Sequence, residues 1–172
     1  MSQGDKYLMT LRGLLNRLVV GLLVVAIALL TAFTAPAPAA ASDSVHPSLP
    51  ELMVYRSPTC RCCGHWVDHM KAAGFEVQDV VTEVMAAIKA QYGVPEALAS
   101  CHTALVDDYV IEGHVPATDV QRLLSEEPDV LGIAAPGMPV GSPGMEMGDR
   151  VDSYTVVSFT QAGDTAPFAQ HP

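Results

Sequence analysis

The stretch SPTCRCCGHW, residues 57–66, places three of the chain's four cysteines within four positions. The apolar run LMVY at residues 52–55, directly before it, predicts a short buried strand. The segment GHWVDHMKAAG, residues 64–74, predicts a helix that ends at a glycine. The three cysteines therefore fall in a strand-to-helix turn. Such turns lie outside the carboxyl ends of strands and beside a helix N-terminus, where α/β sheets place their chemistry.

The remaining segments predict one small α/β domain built in layers, with no internal repeat and no second domain. Its further elements are expected to be a strand over 75–81, a helix over 82–91 with Thr82 as its N-cap, a hairpin pairing 103–106 with 109–112, a helix between Pro116 and Pro128, a short apolar run over 130–134 and a strand over 153–160. The Gly/Pro-rich segment at residues 136–149 predicts a loop that is either functional or disordered.

The N-terminal segment has the composition of an export signal. Residues 1–17 carry three bases and one acid, whereas residues 18–35 carry no charge and lead into small residues. This pattern predicts a secretory signal peptide over 1–41, cleaved before Ser42. An uncleaved membrane anchor is the alternative, because the apolar run of about 18 residues is at the lower limit for spanning a bilayer. Both interpretations place the rest of the chain in the periplasm and limit membrane contact to this segment.

Composition sets the other boundaries. The composition predicts a linker over residues 42–51, the folded domain over residues 52–160 and a flexible polar tail over residues 161–172. Without residues 1–41 the chain retains six of its nine basic and eighteen of its nineteen acidic side chains, a formal charge of −12. Such a surface repels nucleic acid and attracts cations, so nucleic acid is not expected as a partner.

Cys60 and Cys63 form a Cys-x-x-Cys pair at the expected helix start, the spacing of thioredoxin-like redox sites. Helix N-termini favour the thiolate form, which is both a redox nucleophile and a ligand for soft metals. The pair alone leaves both chemistries open. An even number of cysteines in an exported chain ordinarily predicts structural disulfides, but the adjacent Cys62 and Cys63 would form a strained ring.

Cys62 favours metal binding over disulfide exchange, because a third thiol offers a disulfide exchanger a scrambling partner. One tetrahedral zinc ion would not easily take both Cys62 and Cys63, since neighbouring side chains diverge and zinc ligands usually have two or more residues between them. Copper(I) is soft, accepts two or three ligands and forms clusters in which sulfur bridges several ions. Adjacent thiolates can then serve different ions. The spacing therefore favours copper over structural zinc.

The segment SCHTALVDDYVIEGHVPATDVQRLL, residues 100–124, resembles the part of DsbA-type thioredoxin-like oxidoreductases that faces the Cys-x-x-Cys pair. That part comprises a residue pair ending in cis-proline, a hairpin, a VEGAVP-like turn and a helix. Cys101 and His102 occupy the place of the residue pair. The resemblance implies that Cys101 folds against the other three cysteines. It also puts a histidine where proline normally holds substrate disulfides, which argues against dithiol exchange.

Four motifs in order, CRCCGHW, SCHTALV, YVIEGHVP and PGMPVGSPGME, resemble the CopG-like family of periplasmic copper-resistance proteins over about residues 52–160. The resemblance implies a thioredoxin-like single domain with a central mixed sheet flanked by helices. It also implies several Cu(I) ions in a copper–sulfur cluster, for copper sequestration, copper handling or Cu(I)/Cu(II) interconversion. By position, the ligand role passes to Cys60, Cys62, Cys63 and Cys101. The implied partners are copper ions and other periplasmic copper-handling proteins.

Other side chains are candidates to extend a copper site. His102 adjoins an expected ligand, and the thioether sulfurs of Met138, Met145 and Met147 suit Cu(I). The alternatives are that His102 is a strand residue hydrogen-bonded to backbone and that Met138 and Met145 pin the loop to the apolar body. Trp66 is expected in the core.

The remaining histidines point less clearly to metal. His65 and His69 are four residues apart on one helical face, where they either bind a metal or face solvent. His114 is interpreted as a turn residue, and no role is assigned to His46 or His171.

Two functions from different classes remain open. The favoured one is a periplasmic copper-binding protein with several Cu(I) ions in a thiolate cluster, for which copper-dependent redox activity is an open question. The other is a thiol-disulfide oxidoreductase that uses Cys60 and Cys63.

Overall fold

The computed structural model describes residues 49–172, together with Arg12, Gly13 and Arg17. The rest of the predicted export segment over 1–41 lies outside the described residues, as does most of the predicted linker. Both therefore stay predictions. Within the described part of the chain, no helix combines the length and the apolar character needed to cross a membrane.

Within residues 49–172, seven strands form one mixed sheet in the order β2-β1-β3-β4-β5-β6-β7, and three helices flank it. The β1–β2 and β4–β5 pairs are parallel and the other pairs are antiparallel. The strands are β1 (Leu52–Arg56), β2 (Val77–Val81), β3 (His102–Val106), β4 (Tyr109–Gly113), β5 (Gly132–Ala135), β6 (Tyr154–Phe159) and β7 (Thr165–His171). The helices are α1 (Arg61–Ala72), α2 (Met85–Gln91) and α3 (Ala117–Glu126), with a 3-10 turn at Glu96–Leu98.

Apolar side chains cover both faces of the sheet, because successive residues of its central strands point to opposite sides. On one face, α1 and α3 bury Trp66, Met70 and Leu123 in a large cluster that includes Ile111 of β4. On the other face, the 3-10 turn contributes Leu98 to a smaller cluster. This arrangement is the predicted thioredoxin-like single domain with a central mixed sheet flanked by helices, and Trp66 lies in its core as expected.

Helix α1 begins at Arg61, three residues earlier than predicted. Cys60 is its N-cap residue in an extended conformation, so Cys62 and Cys63 belong to the first helical turn rather than to a loop. The predicted C-terminal glycine, Gly74, has φ 96°, which a residue with a side chain rarely adopts. Two of the four cysteines, Cys62 and Cys63, thus lie in the first turn of α1.

Helix α2 begins at Met85, and the prediction of Thr82 as its N-cap was wrong, since Val84 occupies that position. The backbone N–H of Thr82 donates to the carbonyl oxygen of Arg56 at 2.9 Å. The chain is therefore still bonded to β1 where the helix was expected to start. The Thr82 hydroxyl instead accepts the N–H of Val84 at 3.3 Å.

The predicted flexible tail over 161–172 was wrong for most of its length. Thr165–His171 forms the edge strand β7, antiparallel to β6. The Nε2 atom of His171 lies 2.7 Å from Oδ2 of Asp119 in α3, and its ring stacks on Tyr154 with the centroids 4.8 Å apart. These contacts between distant parts of the chain fix a segment whose own composition predicts no structure.

Candidate metal centre

The four cysteine sulfurs lie together where α1 and β3 begin, and every pair of them is within 4.8 Å. The residues are Cys60, Cys62, Cys63 and Cys101. Strands β1 and β3 pair antiparallel with Arg56 opposite His102, so the chain enters β3 at the level where β1 leads into the cysteine turn. This register brings the distant Cys101 sulfur to the other three, as the resemblance to DsbA-type oxidoreductases implied.

Two of the four sulfurs are covalently joined. Cys60 and Cys63 form a disulfide, whereas Cys62 and Cys101 are free thiols. The Cys62 sulfur lies 3.4 Å from that of Cys60. The Cys-x-x-Cys pair can therefore exist in oxidised form with the third thiol directly beside it.

Two buried imidazoles adjoin Cys101. The rings of His102 and His114 are fully buried. The Cys101 sulfur lies 3.4 Å from Nδ1 of His102 and 3.0 Å from Nε2 of His114. Cys101, His102 and His114 form a second group of metal-ligand atoms, all within 4.8 Å of one another. The interpretation of His114 as a turn residue was therefore incomplete, because its ring reaches the site.

The hairpin register could have revealed His114. Strands β3 and β4 pair Val106 with Tyr109 around a two-residue turn, and the same register places Thr103 opposite Glu112. Extended by two residues, it sets Cys101 opposite His114. The predicted hairpin had this register, so the proximity was implicit in the sequence.

Burial controls the protonation of Cys101, His102 and His114. Burial and the neighbouring Cys62 thiol raise the pKa of Cys101 to about 12. Burial lowers the pKa of His102 well below its usual value, helped by His114 and Lys89. Burial also lowers the pKa of His114, although the carbonyl of Pro143 opposes the shift. Both imidazoles are thus neutral at pH 7 and have a lone pair for a metal.

A buried carboxylate holds the segment before Cys101. Glu112 is fully buried and accepts hydrogen bonds from the Lys89 ammonium, the backbone N–H of Ser100 and the hydroxyl of Thr103. These three donors satisfy a charge that would otherwise be costly to bury. No pattern in the sequence predicted more for Glu112 than a place in the hairpin.

The loop at residues 136–149 is ordered and packs on the site, so the expectation of disorder was wrong. A functional role for the loop stays a prediction. The Ser100 hydroxyl donates to the carbonyl oxygen of Gly137, and Nδ1 of His114 donates to that of Pro143 at 2.7 Å. A side chain on Gly144 would put its Cβ 2.7 Å from the Cys62 carbonyl oxygen. The loop therefore lies directly against the first turn of α1.

The three loop methionines are placed differently. Met138 and Met147 are 55% and 63% exposed, whereas Met145 is half-buried. An exposed thioether does not pin the loop to the apolar body, so that alternative fails for Met138. Copper ligation by any of the three stays a prediction.

His65 and His69 do not form a matched metal-binding pair. His65 is exposed, while Nε2 of His69 accepts the backbone N–H of Ala117 at 3.1 Å, at the start of α3. One nitrogen of His69 is thus committed to joining two helices. His171 of β7 contacts Asp119 of α3, and His46 lies outside the described residues.

Comparisons with known proteins place this geometry in context. A family model described as "Protein of unknown function, DUF411" matches residues 98–145, which include Cys101 and both buried histidines. No curated protein matches the chain. Two solved structures, titled copper resistance protein CopG, form 2 and form 1, are 47% and 48% identical to it. Each matches 72% of this chain, covers 99% and 98% of its own chain respectively, and has a TM-score of 0.69.

Proposed function

The chain belongs to the CopG-like copper resistance family, and we propose that it is a periplasmic copper-binding protein with several Cu(I) ions in a thiolate cluster. The proposed ligands are Cys60, Cys62, Cys63 and Cys101. The observation that carries the proposal is the convergence of these four sulfurs within 4.8 Å. A copper-related function accords with the names of both similar solved structures.

Copper(I) fits this set of donors better than zinc does. Thiolate sulfur selects Cu(I), and sulfur atoms that bridge several ions let adjacent cysteines serve different ones. Cys62 and Cys63 are neighbours in the first turn of α1, yet Cys63 is buried while Cys62 is partly exposed. Zinc ligands are usually separated by two residues or more, whereas adjacent thiolates can serve different ions of a multinuclear copper cluster.

Copper loading on all four sulfurs requires the reduced chain. The Cys60–Cys63 disulfide must take up two electrons and two protons from an external thiol reductant, which is itself oxidised to a disulfide. The thiol protons are then released when Cu(I) binds to the thiolates. The oxidised chain should therefore bind less copper than the reduced one.

The proposed role is copper sequestration or handling, in exchange with other periplasmic copper-handling proteins. Interconversion of Cu(I) and Cu(II) at the same site is a further activity that fits the proposal. The charge of −12 outside residues 1–41 raises the local concentration of cations. Cys60, Cys62 and Cys101 are partly exposed, so the cluster can be approached from solvent.

Thiol-disulfide exchange is the second candidate, and the disulfide at the start of α1 favours it. Two observations weigh against it. Cys62 lies 3.4 Å from the Cys60 sulfur, where it would compete with a substrate thiol. The described residues contain no cis peptide bond, and His102 stands where exchangers of this fold have the substrate-binding cis-proline.

Copper content after anaerobic reduction separates the two functions. Wild-type protein reloaded with Cu(I) should retain several copper ions per chain, and Cys62→Ser should lose most of them while dithiol exchange at Cys60 and Cys63 persists. His65→Gln, an exposed change in the same helix, is the matched control and should retain copper like the wild type. Absence of copper from the wild type, combined with turnover of a small disulfide substrate, would overturn the proposal in favour of exchange.

A further inference from the structure

Helix α2 has little of its own to hold it on the sheet. It is seven residues long, contains no buried residue and has no side-chain cap at its start. A helix this short is not stable alone in water, so its place depends on contacts with the rest of the domain. Lys89 supplies one such contact through its hydrogen bond to Glu112. Tyr92, the C-cap residue of α2, supplies another by meeting Tyr55 of β1.

The phenol rings of Tyr55 and Tyr92 meet at their hydroxyl ends. Their oxygens are 3.5 Å apart, whereas the ring centroids are 5.9 Å apart and the ring planes differ by 30°. The rings therefore converge towards the hydroxyl groups, and the ring carbons ortho to each hydroxyl converge with them. Among residues 49–172, no other two tyrosine rings are in contact. Both rings are partly exposed, so small oxidants in solvent can reach them.

Met53 fixes the hydroxyl of Tyr55. It lies two residues earlier in β1, and therefore on the same face of the sheet. The Tyr55 hydroxyl donates to the Sδ atom of Met53 at 2.8 Å, so the Tyr92 hydroxyl is the donor in the contact between the two phenols. These bonds keep the two rings facing each other in the folded chain.

We propose that Tyr55 and Tyr92 are a modification site, where oxidation forms a carbon–carbon bond between their rings and joins α2 covalently to β1. Two one-electron oxidants are needed, such as hydroxyl radicals derived from hydrogen peroxide. Each takes one electron and one proton from a phenol and becomes water. The two phenoxyl radicals, whose unpaired electrons are partly on the ortho carbons, then pair these electrons in a bond between two such carbons. The hydrogens on the bonded carbons move to the oxygens as protons, which restores both phenols.

The cross-link stabilises the placement of α2. It joins residues that are 37 positions apart in the chain, and closing such a loop lowers the conformational entropy of the unfolded state. It also fixes the helix whose Lys89 binds the buried Glu112. The proposal goes beyond copper binding, because neither tyrosine is among the proposed copper ligands and the bond forms without a metal ion.

Photochemical oxidation of the metal-free full chain tests the proposal. Dilute protein is illuminated briefly with tris(bipyridine)ruthenium(II) and persulfate, which generate a one-electron oxidant, and chains of monomer mass are isolated. These chains should show dityrosine fluorescence. After thiol reduction and trypsin digestion, one product should join the peptide that ends at Arg56 to the peptide over residues 90–122. Its mass should equal that of the two peptides less two hydrogens.

Three tyrosine variants identify the coupled residues. The peptide over residues 90–122 also contains Tyr109, so mass alone does not identify the partner of Tyr55. The product should be lost in Tyr55→Phe and in Tyr92→Phe. Tyr109→Phe is the matched control and should retain the product, because the Tyr109 hydroxyl donates to the carbonyl oxygen of Pro128 instead. Absence of the product from the wild type, or its persistence in Tyr92→Phe, overturns the proposal.

Two further measurements test the dependence on the fold and the effect on stability. In urea that unfolds the wild type, the yield of the product should fall, because the fold brings the two rings together, and an undiminished yield overturns the proposal. Oxidation should also shift the urea midpoint of the wild type upwards relative to that of Tyr92→Phe treated in the same way. An unchanged difference between the two midpoints overturns the role of the bond in holding α2. Since no copper is present, none of these outcomes decides the thiolate site.

Discussion

The buried carboxylate of Glu112 accepts the backbone N–H of Ser100 and so fixes the chain one residue before the Cys101 sulfur. The same carboxylate accepts hydrogen bonds from Lys89 and Thr103. The position of the fourth sulfur thus depends on a carboxylate that does not itself touch the cluster.

Glu112→Gln should therefore destabilise the reduced protein. It leaves the Lys89 ammonium, whose side chain is only 14% exposed, without its carboxylate, a loss of about 3–5 kcal/mol in the free energy of unfolding. Urea unfolding measures the change, and copper content should fall because Cys101 is less well fixed. Asp79→Asn breaks the more exposed ion pair with Arg56 and should cost about 1 kcal/mol or less. Equal losses in the two variants would contradict the positioning role.

Gly144→Ala should lift the loop at residues 136–149 from α1. The added Cβ would lie 2.7 Å from the carbonyl oxygen of Cys62 and 2.8 Å from the backbone nitrogen of Trp66, which is closer than carbon atoms approach either group. Gly148→Ala is the matched control, since Gly148 also has a positive φ but a Cβ there meets nothing within 4 Å.

Backbone strain should lower the free energy of unfolding of both glycine variants by about 1–2 kcal/mol. Gly144→Ala should lose roughly 1–3 kcal/mol more through overpacking. It should also release copper faster when challenged with a chelator. Indistinguishable unfolding curves and release rates for the two variants would show that the loop does not press on α1.

His69 predicts a specific dependence of stability on pH. Its Nε2 accepts the N–H of Ala117 only while the ring is neutral, and burial lowers its pKa, although the Glu146 carboxylate opposes the shift. The unfolded chain, with a histidine pKa of about 6.5, therefore binds the proton more readily than the folded one. The contribution of His69 is complete above about pH 6.5 and is lost as the pH falls through its folded pKa.

On acidification from about pH 7.5 to about pH 5, the wild type should accordingly lose more stability than His69→Gln, which cannot titrate. Chemical unfolding at a series of pH values gives the two curves. His65→Gln should follow the wild type, because His65 is exposed. Parallel curves for the wild type and His69→Gln would refute the assignment.

Copper uptake should release a proton from Cys101. Its pKa of about 12 keeps the thiol protonated at neutral pH, and thiolate ligation must displace that proton. Copper affinity should therefore fall as the pH is lowered. Addition of Cu(I) to reduced, weakly buffered protein should release fewer protons per chain from Cys101→Ser than from the wild type, and equal release would exclude Cys101 as a ligand.

The sulfur cluster was predicted from the resemblance of residues 100–124 to DsbA-type oxidoreductases, and the structure shows which pairings produce it. The strand over 52–55, the cysteine turn and the two-residue hairpin turn at Asp107-Asp108 together bring Cys101 to the start of α1. The same hairpin implied that His114 lies near the site, although its ring was not assigned there. Most residues of the candidate site could therefore be predicted from the sequence motifs and the resemblance that they carry.

The parts that were mispredicted depend on long-range contacts. Strand β7 is fixed by contacts such as that between His171 and Asp119, which is 52 residues away in the chain. The delayed start of α2 follows from the bond between Thr82 and Arg56 in the neighbouring strand. Local composition contains no information about either partner, because strand formation depends on packing against neighbours more than on intrinsic preference.

The loop over the sulfurs is anchored by its main chain rather than by its side chains. The carbonyl oxygens of Gly137 and Pro143 receive the two bonds from the body of the domain, and Gly144 makes its close contact without a side chain. Substitutions at the exposed Met138 and Met147 leave all three anchors untouched. The side chains on the outer surface of this loop can therefore vary while the backbone contacts that hold the loop against the domain persist.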